Sequence, residues 1–188
     1  NDKNIIFHIG VGKSGTTTLQ ENVFNSLPDI ACLGRPNHDH PLFRDLSYGL
    51  CLAEDGELDR LILPFIEYAS SFNQPTIVVS DENLQTQPVS LVASRISKYF
   101  PEAIILISLR NQLDAIKSHY SNEGRVPKGP RSENSLFVPA RSYLDYYLRH
   151  PSEGFFRSLD YLGLVDTVSR YFRPEQLKIV LFEELVNE

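Results

Sequence analysis

Short apolar runs alternate along the chain with longer segments whose apolar residues recur at helical spacing. The runs rich in β-branched residues predict strands at residues 4–9, 76–80, 103–109 and 177–182. The periodic segments predict helices at residues 17–27, 57–72, 88–100, 112–120, 141–149 and 155–171. Strands that alternate with helices are typical of βαβ units. We therefore expect a single α/β domain over residues 1–188, with a mostly parallel central sheet flanked by helices.

The polar segments between these elements predict loops. Residues 121–139, rich in Gly, Pro, Ser and charge, form the longest of them, and residues 37–41 form a loop that contains His, Asp and Pro. Ligands of parallel sheets bind beyond the carboxyl ends of the strands. The loops that follow Ile9, Ser80 and Leu109 are therefore expected to line one crevice.

Length and composition fit one globular domain. The chain has 188 residues, of which 41% are hydrophobic and 22% charged, and these values exclude a disordered or fibrous protein. No apolar stretch approaches the roughly 20 residues of a membrane-spanning helix. The net charge of -6 argues against a nucleic-acid partner, because proteins that bind nucleic-acid phosphates usually carry a basic excess. An anionic ligand would need a local basic site.

The two cysteines carry no metal or redox motif. Cys32 and Cys51 belong to no C-x-x-C pair and lie apart from the histidines, so no metal site is expected. We expect two buried thiols in a reducing compartment. A single disulfide in an oxidising compartment is the alternative.

The most informative segment follows the first predicted strand. Residues 8–20, HIGVGKSGTTTLQ, place a glycine-rich turn between a strand and the start of a helix. Free backbone N–H groups and the helix dipole make such a turn an anion site. The residues of the turn that are expected to bind an anion are Lys13, Ser14, Gly15, Thr16, Thr17 and Thr18.

The spacing of this turn departs from two common nucleotide motifs. The P-loop pattern G-x-x-x-x-G-K-S/T requires a glycine where this chain has Phe7. The dinucleotide pattern G-x-G-x-x-G is met by Gly10, Gly12 and Gly15, but no acidic ribose ligand follows at the required place.

Residues 13–19 resemble instead the 5'-phosphosulfate loop of sulfotransferases that use 3'-phosphoadenosine 5'-phosphosulfate (PAPS), K-S/T-G-T-T-x-L. The bacterial branch of that family often has H-I-G-x-x-K-T-G-T-T-S-L-Q, which residues 8–20 match nearly throughout. The resemblance implies a P-loop-NTPase-like three-layer fold and PAPS as sulfuryl donor, with 3',5'-ADP as product and no required metal. It also implies that Lys13 stabilises the leaving group.

A second segment resembles the family's 3'-phosphate signature, a strand that ends in Arg and a helix with Ser eight residues later. Arg110 ends the third predicted strand and Ser118 lies eight residues further on. A guanidinium offers a planar, permanently charged fork to a phosphate. The neighbouring Lys117 and His119 are predicted to lie on the helix surface.

Four residues are candidates for the general base. Alignment with the family's second main strand puts Glu82 at the position of a catalytic histidine, and Asp81 is its neighbour. His40 and His38 are the rivals, because their loop is expected to overhang the same crevice. The basic loop at residues 124–131 is expected either to close on ligands or to remain solvated.

The resemblance implies in-line sulfuryl transfer to a hydroxyl or amine of a carbohydrate, lipid or small molecule. A P-loop-type kinase and an inactive module that binds 3',5'-ADP are the alternatives. A cytoplasmic location is expected, with the lumenal domain of an anchored enzyme as the alternative. Family members continue into a C-terminal segment that covers the nucleotide, which we expect to be missing here. Acceptor identity and oligomeric state stay open.

Overall fold

The computed structural model describes residues 3–34, 40–86, 88–124 and 138–185. Its central sheet has five parallel strands in the order β2-β3-β1-β4-β5. The strands are β1 Asn4–Gly10, β2 Ile30–Leu33, β3 Thr76–Ser80, β4 Ile104–Leu109 and β5 Leu177–Leu181. This arrangement confirms the α/β class and the four predicted strands.

Helices cover both faces of the sheet. They are α1 Thr16–Thr18, α2 Pro41–Cys51, α3 Leu58–Ser70, α4 Asn83–Thr86, α5 Val89–Tyr99, α6 Gln112–His119, α7 Ala140–Arg149, α8 Gly154–Arg157, α9 Tyr161–Ser169 and α10 Phe182–Leu185. Two π-helical segments extend α1 and α6, at Leu19–Val23 and Tyr120–Gly124. Within the described ranges, three short 3-10 turns lie at Phe24–Ser26, Asp55–Glu57 and Pro174–Gln176.

Four elements differ from what the sequence predicts. The strand β2 and the helix α2 were not predicted. The helix predicted at residues 155–171 is two helices, because the side chain of Asp160 accepts a hydrogen bond from the Gly163 amide and starts α9 separately. The segment at residues 17–27 is helical but passes from α into π and 3-10 geometry. Most of the long predicted loop lies outside the described residues.

The sheet separates two apolar layers of unequal size. The larger contains fully buried side chains of three strands, among them Phe7, Ile77 and Ile105, and packs against Ile62 and Ile96 of the helices. The smaller layer, on the other face, is formed by Leu19, Phe24, Cys32 and Val78. Burial of both faces explains why the central strands are almost uniformly apolar.

The buried guanidinium of Arg95 connects α5 to the end of α2. The Arg95 guanidinium donates hydrogen bonds to the carbonyls of Gly49 at 2.9 Å and Ala53 at 2.7 Å, and to Asp55 at 3.0 Å. These carbonyls belong to the last turn of α2 and the residues after it, which lack partners within the helix. Arg95 therefore fixes the end of α2 against α5.

Both cysteines are buried, and no disulfide joins Cys32 to Cys51. Burial raises the pKa of the Cys32 thiol to about 11 and that of the Cys51 thiol to about 12. Thiols in such surroundings stay protonated at neutral pH and are poor nucleophiles.

Candidate functional site

A cavity of about 610 Å³ lies beyond the carboxyl ends of the central strands. It brings together the loop after β1, the start of the segment after β3, the end of β4 with α6, and the short helices α8 and α10. The predicted site residues that line it are Lys13, Gly15, Thr16, Thr17, Thr18, Glu82, Arg110 and Ser118. The three loops expected to share one crevice therefore do so.

The turn after β1 has an unusual backbone. Lys13 has a φ of 70°, and Gly15 has a φ of 78°. Positive φ is costly for a residue with a side chain and persists where surrounding contacts enforce it. Two hydrogen bonds do so here. The Ser14 amide donates to the Val11 carbonyl at 3.0 Å, and Arg110 Nη1 donates to the Lys13 carbonyl at 3.1 Å.

Two glycines at this turn are required because side chains lie too close to them for a Cβ atom to fit. A Cβ on Gly10 would lie 1.9 Å from the Thr16 methyl group, and a Cβ on Gly15 would lie 2.4 Å from the Phe182 ring. The first contact turns the Thr16 methyl inward against β1. The second brings α10 against the turn, so that Phe182 forms part of the cavity wall.

Arg110 joins the two sequence signatures physically. Its guanidinium carbon lies 4.4 Å from the centre of the Phe182 ring, a cation–π geometry. Among the described residues its Nε has no hydrogen-bond partner. The Tyr161 hydroxyl donates to the Arg110 carbonyl at 2.8 Å, and burial raises the pKa of Tyr161, which keeps this donor protonated. The fixed backbone of Arg110 and its place in the cavity wall suit it to an anionic ligand.

Helix α6 contributes two residues to the cavity. Ser118 lines it as the sequence predicts, and His119 lines it as well. The His119 ring stacks on Phe155 at 4.1 Å, and its Nδ1 lies 2.6 Å from the Tyr143 hydroxyl. The prediction that His119 lies on the helix surface is therefore wrong. For Lys117, which pairs with Asp114 in solvent, the same prediction is correct.

The two acidic candidates for the base have different surroundings. Glu82 lines the cavity and accepts a hydrogen bond from the Thr16 hydroxyl. Asp81 accepts hydrogen bonds from the Asn83 amide at 2.9 Å and from the Ser47 hydroxyl. Asp81 thus holds the turn after β3, while Glu82 faces the ligand space.

Two predicted site residues lie elsewhere. Ser14 is fully buried, and its hydroxyl lies 2.7 Å from Ser108 Oγ instead of in the cavity. His40 stacks on Tyr68 at 4.6 Å, near the end of α3. The next turn reaches Phe72, whose carbonyl accepts from Lys3 ahead of β1. His40 therefore lies toward the amino end of the sheet. His38 and most of the basic loop at 124–131 lie outside the described residues.

Several lining residues were not predicted from sequence. They are Gly12, Gln85, His119, Gly154, Phe155, Arg157, Ser158 and Phe182. Half of them belong to α8 and α10, far along the chain from either signature.

The described part of the chain contains no cluster of three or more potential metal-binding side chains. None of its helices is both long enough and apolar enough to cross a bilayer.

Comparison with solved structures shows the same fold. The chain is similar to a sulfotransferase from Alicyclobacillus acidocaldarius, with a TM-score of 0.66 and 20% sequence identity over 99% of this chain and 76% of that one. A thymidylate kinase from Candida albicans aligns with a TM-score of 0.38 and 10% identity, over 99% and 88% of the two chains, which is too weak to support an argument. No family model and no curated protein matches the sequence. The fold is thus the P-loop-like α/β type, with a central parallel sheet.

Proposed function

We propose that the protein is a sulfotransferase that moves a sulfuryl group from PAPS to a hydroxyl or amine of a carbohydrate, lipid or small-molecule acceptor. One observation carries the proposal. Arg110 and Lys13, the charged residues of the two family-like signatures, line one cavity and are joined by a hydrogen bond. Two segments 97 positions apart in sequence thus bring basic residues to one cavity, where a nucleotide with two separate anionic groups would need them.

The residues of the cavity divide between the two ends of the donor. The turn around Lys13 and Gly15, with the hydroxyls of Thr17 and Thr18, would hold the 5'-phosphosulfate. Arg110 and Ser118 would hold the 3'-phosphate, since a guanidinium recognises phosphate through parallel charge-assisted hydrogen bonds. The buried Ser14 hydroxyl does not take part. The backbone of that residue still helps to shape the turn.

The proposed transfer is a single in-line displacement. The acceptor oxygen or nitrogen attacks sulfur, and the bond from sulfur to the bridging oxygen breaks. The electron pair stays on that oxygen, which leaves as part of 3',5'-ADP. Lys13 would neutralise the charge that develops there, and the Glu82 carboxylate would take the acceptor proton. Positioning and charge stabilisation supply the catalysis, as in phosphoryl transfer.

Nucleotide binding separates this proposal from a kinase. We expect 3',5'-ADP to bind more tightly than ATP with magnesium in a calorimetric titration of the wild-type protein. Tighter binding of ATP with magnesium would refute the proposal. An inactive binding module would bind 3',5'-ADP and transfer no sulfate from PAPS to any acceptor in a panel of glycans, lipids and phenols.

Variants test the assignments within the site. Arg110→Ala is expected to weaken the binding of 3',5'-ADP far more than that of 5'-AMP, because only 3',5'-ADP carries the 3'-phosphate. Equal losses for the two nucleotides would remove Arg110 from that role.

Lys13→Ala is expected to abolish transfer and preserve the fold. Arg170→Ala, which removes an exposed arginine paired with Asp166, is the matched control and should change neither property.

A further inference from the structure

A chain of buried hydrogen bonds runs beneath the cavity. His8, on the central strand β1, is fully buried. Its Nδ1 lies 2.7 Å from Ser80 Oγ at the end of β3, and its Nε2 lies 2.9 Å from Ser108 Oγ on β4. One imidazole ring thus links three neighbouring strands.

The chain continues beyond both serines. Ser108 Oγ lies 2.7 Å from Ser14 Oγ, in the turn after β1. Gln20 Nε2 donates to Ser80 Oγ at 2.7 Å and to the Ser80 carbonyl at 3.2 Å. All five side chains are buried. We refer to His8, Ser14, Gln20, Ser80 and Ser108 as the His8 network.

The serines of the network stand beside the charged residues of the cavity. Ser14 directly follows Lys13, Ser80 precedes Glu82 by two residues, and Ser108 precedes Arg110 by two residues. The three loops that carry Lys13, Glu82 and Arg110 are therefore held by buried hydrogen bonds within two residues of each charge.

The chemistry of His8 suits a rigid link. Burial lowers the pKa of His8 to about 4, so the ring is neutral at physiological pH and carries one N–H and one lone pair. A serine hydroxyl both donates and accepts, so either tautomer of His8 can be satisfied by its two partners. Loss of one link would strand a polar group in the interior, which is costly.

We propose that His8 is a positioning residue that fixes Lys13, Glu82 and Arg110 relative to one another. The hydrogen bonds from Nε2, through Ser108 and Ser14, fix the positions of the two cationic loops that would hold the donor. The hydrogen bond from Nδ1 to Ser80 fixes the position of the loop that carries Glu82. The consequences for turnover rest on the proposed function, whereas the consequences for loop order do not.

Two amide substitutions separate the branches. In His8→Asn the amide nitrogen can replace Nδ1, which keeps the link to Ser80 and loses the link to Ser108. In His8→Gln the longer amide can replace Nε2, which keeps Ser108 and loses Ser80. Ser108→Ala and Ser80→Ala cut the same two links, together with the bonds to Ser14 and Gln20, and serve if a change at His8 prevents folding.

The two branches predict different defects. His8→Asn and Ser108→Ala should weaken 3',5'-ADP binding about tenfold or more, as expected for a buried polar group left without a partner. His8→Gln and Ser80→Ala should keep that affinity within about twofold and lower kcat with PAPS about tenfold or more. A residue that merely stabilised the fold would not split affinity from turnover in this way.

Hydrogen exchange at neutral pH supplies a readout that does not require activity. Cutting the Ser108 link should speed amide exchange in residues 11–18, and cutting the Ser80 link should speed it in residues 80–85. Wild-type protein that neither binds 3',5'-ADP nor turns over PAPS would refute the proposed function, while the exchange pattern would still test the positioning role. The same defect and the same exchange pattern in all four variants would overturn that role.

Discussion

Protonation of His8 is predicted to destabilise the fold. Burial holds the pKa of His8 at about 4 in the folded protein, against 6.5 for a solvated histidine. At about 1.4 kcal/mol per pH unit, this difference corresponds to about 3 kcal/mol of unfolding free energy. That is a large fraction of the roughly 5–15 kcal/mol by which small domains are stable.

The direction of the pH effect on stability follows from which state, folded or unfolded, binds a proton at His8. Between pH 6.5 and about 4 the unfolded chain holds a proton on His8 that the folded protein does not. The unfolding free energy therefore falls as the pH drops through this window and levels off below it. Above pH 6.5 both states have a neutral ring, and His8 contributes no pH dependence.

Urea unfolding at several pH values between 7.5 and 4 measures the effect, with circular dichroism and tyrosine fluorescence as probes, since the chain has 9 Tyr and no Trp. Other groups also titrate, so the test is the difference between wild type and His8→Gln. We expect the wild type to lose about 3 kcal/mol more than the variant across the window. The exposed control His150→Gln should follow the wild type. Parallel curves for wild type and His8→Gln would show that protonation of His8 does not destabilise the fold.

Three further predictions concern the site and the core. Gly15→Ala should weaken 3',5'-ADP at least about tenfold by calorimetry, because its φ is 78° and its Cβ would lie 2.4 Å from the Phe182 ring; unchanged affinity would contradict this account of the turn. Phe182→Leu should weaken binding of the same nucleotide about three- to tenfold by removing the ring beneath Arg110. A loss of unfolding free energy as large as the loss of binding free energy would point to packing instead. Arg95→Met should lower the unfolding free energy by about 2–4 kcal/mol in urea, because the carbonyls of Gly49 and Ala53, at the end of α2 and just after it, lose their donors. The exposed control Arg170→Met should lie within about 0.5 kcal/mol of the wild type.

The buried strands and the two signatures could be predicted from sequence because each is a local pattern. β1, β3 and β4 are runs of apolar and β-branched residues, and the turn after β1 has its glycines and lysine within one short segment. β2 escaped prediction because it has only four residues, of which Ile30 alone is β-branched. Its identity depends on pairing with β3, which a linear pattern does not show.

The remaining parts of the site depend on distant contacts. Phe182 and Phe155 reach the cavity only because the end of β5 and the turn before α9 fold back onto the loop after β1. Ser14 has the residue type of an anion ligand, yet its hydroxyl turns inward because Ser108 lies 2.7 Å away on the neighbouring strand. His40 stacks on Tyr68 near the end of α3, toward the opposite end of the sheet. Side-chain direction in such cases is set by tertiary packing.

Turnover of PAPS decides whether the protein is a sulfotransferase. Protein incubated with sulfur-labelled PAPS and a mixture of glycan, lipid and phenol acceptors is assayed for 3',5'-ADP release and for labelled product by mass spectrometry. We predict equal amounts of 3',5'-ADP and sulfated product from the wild type, and neither from Lys13→Ala. Binding of PAPS without transfer to any acceptor, or equal turnover by wild type and Lys13→Ala, would contradict the account.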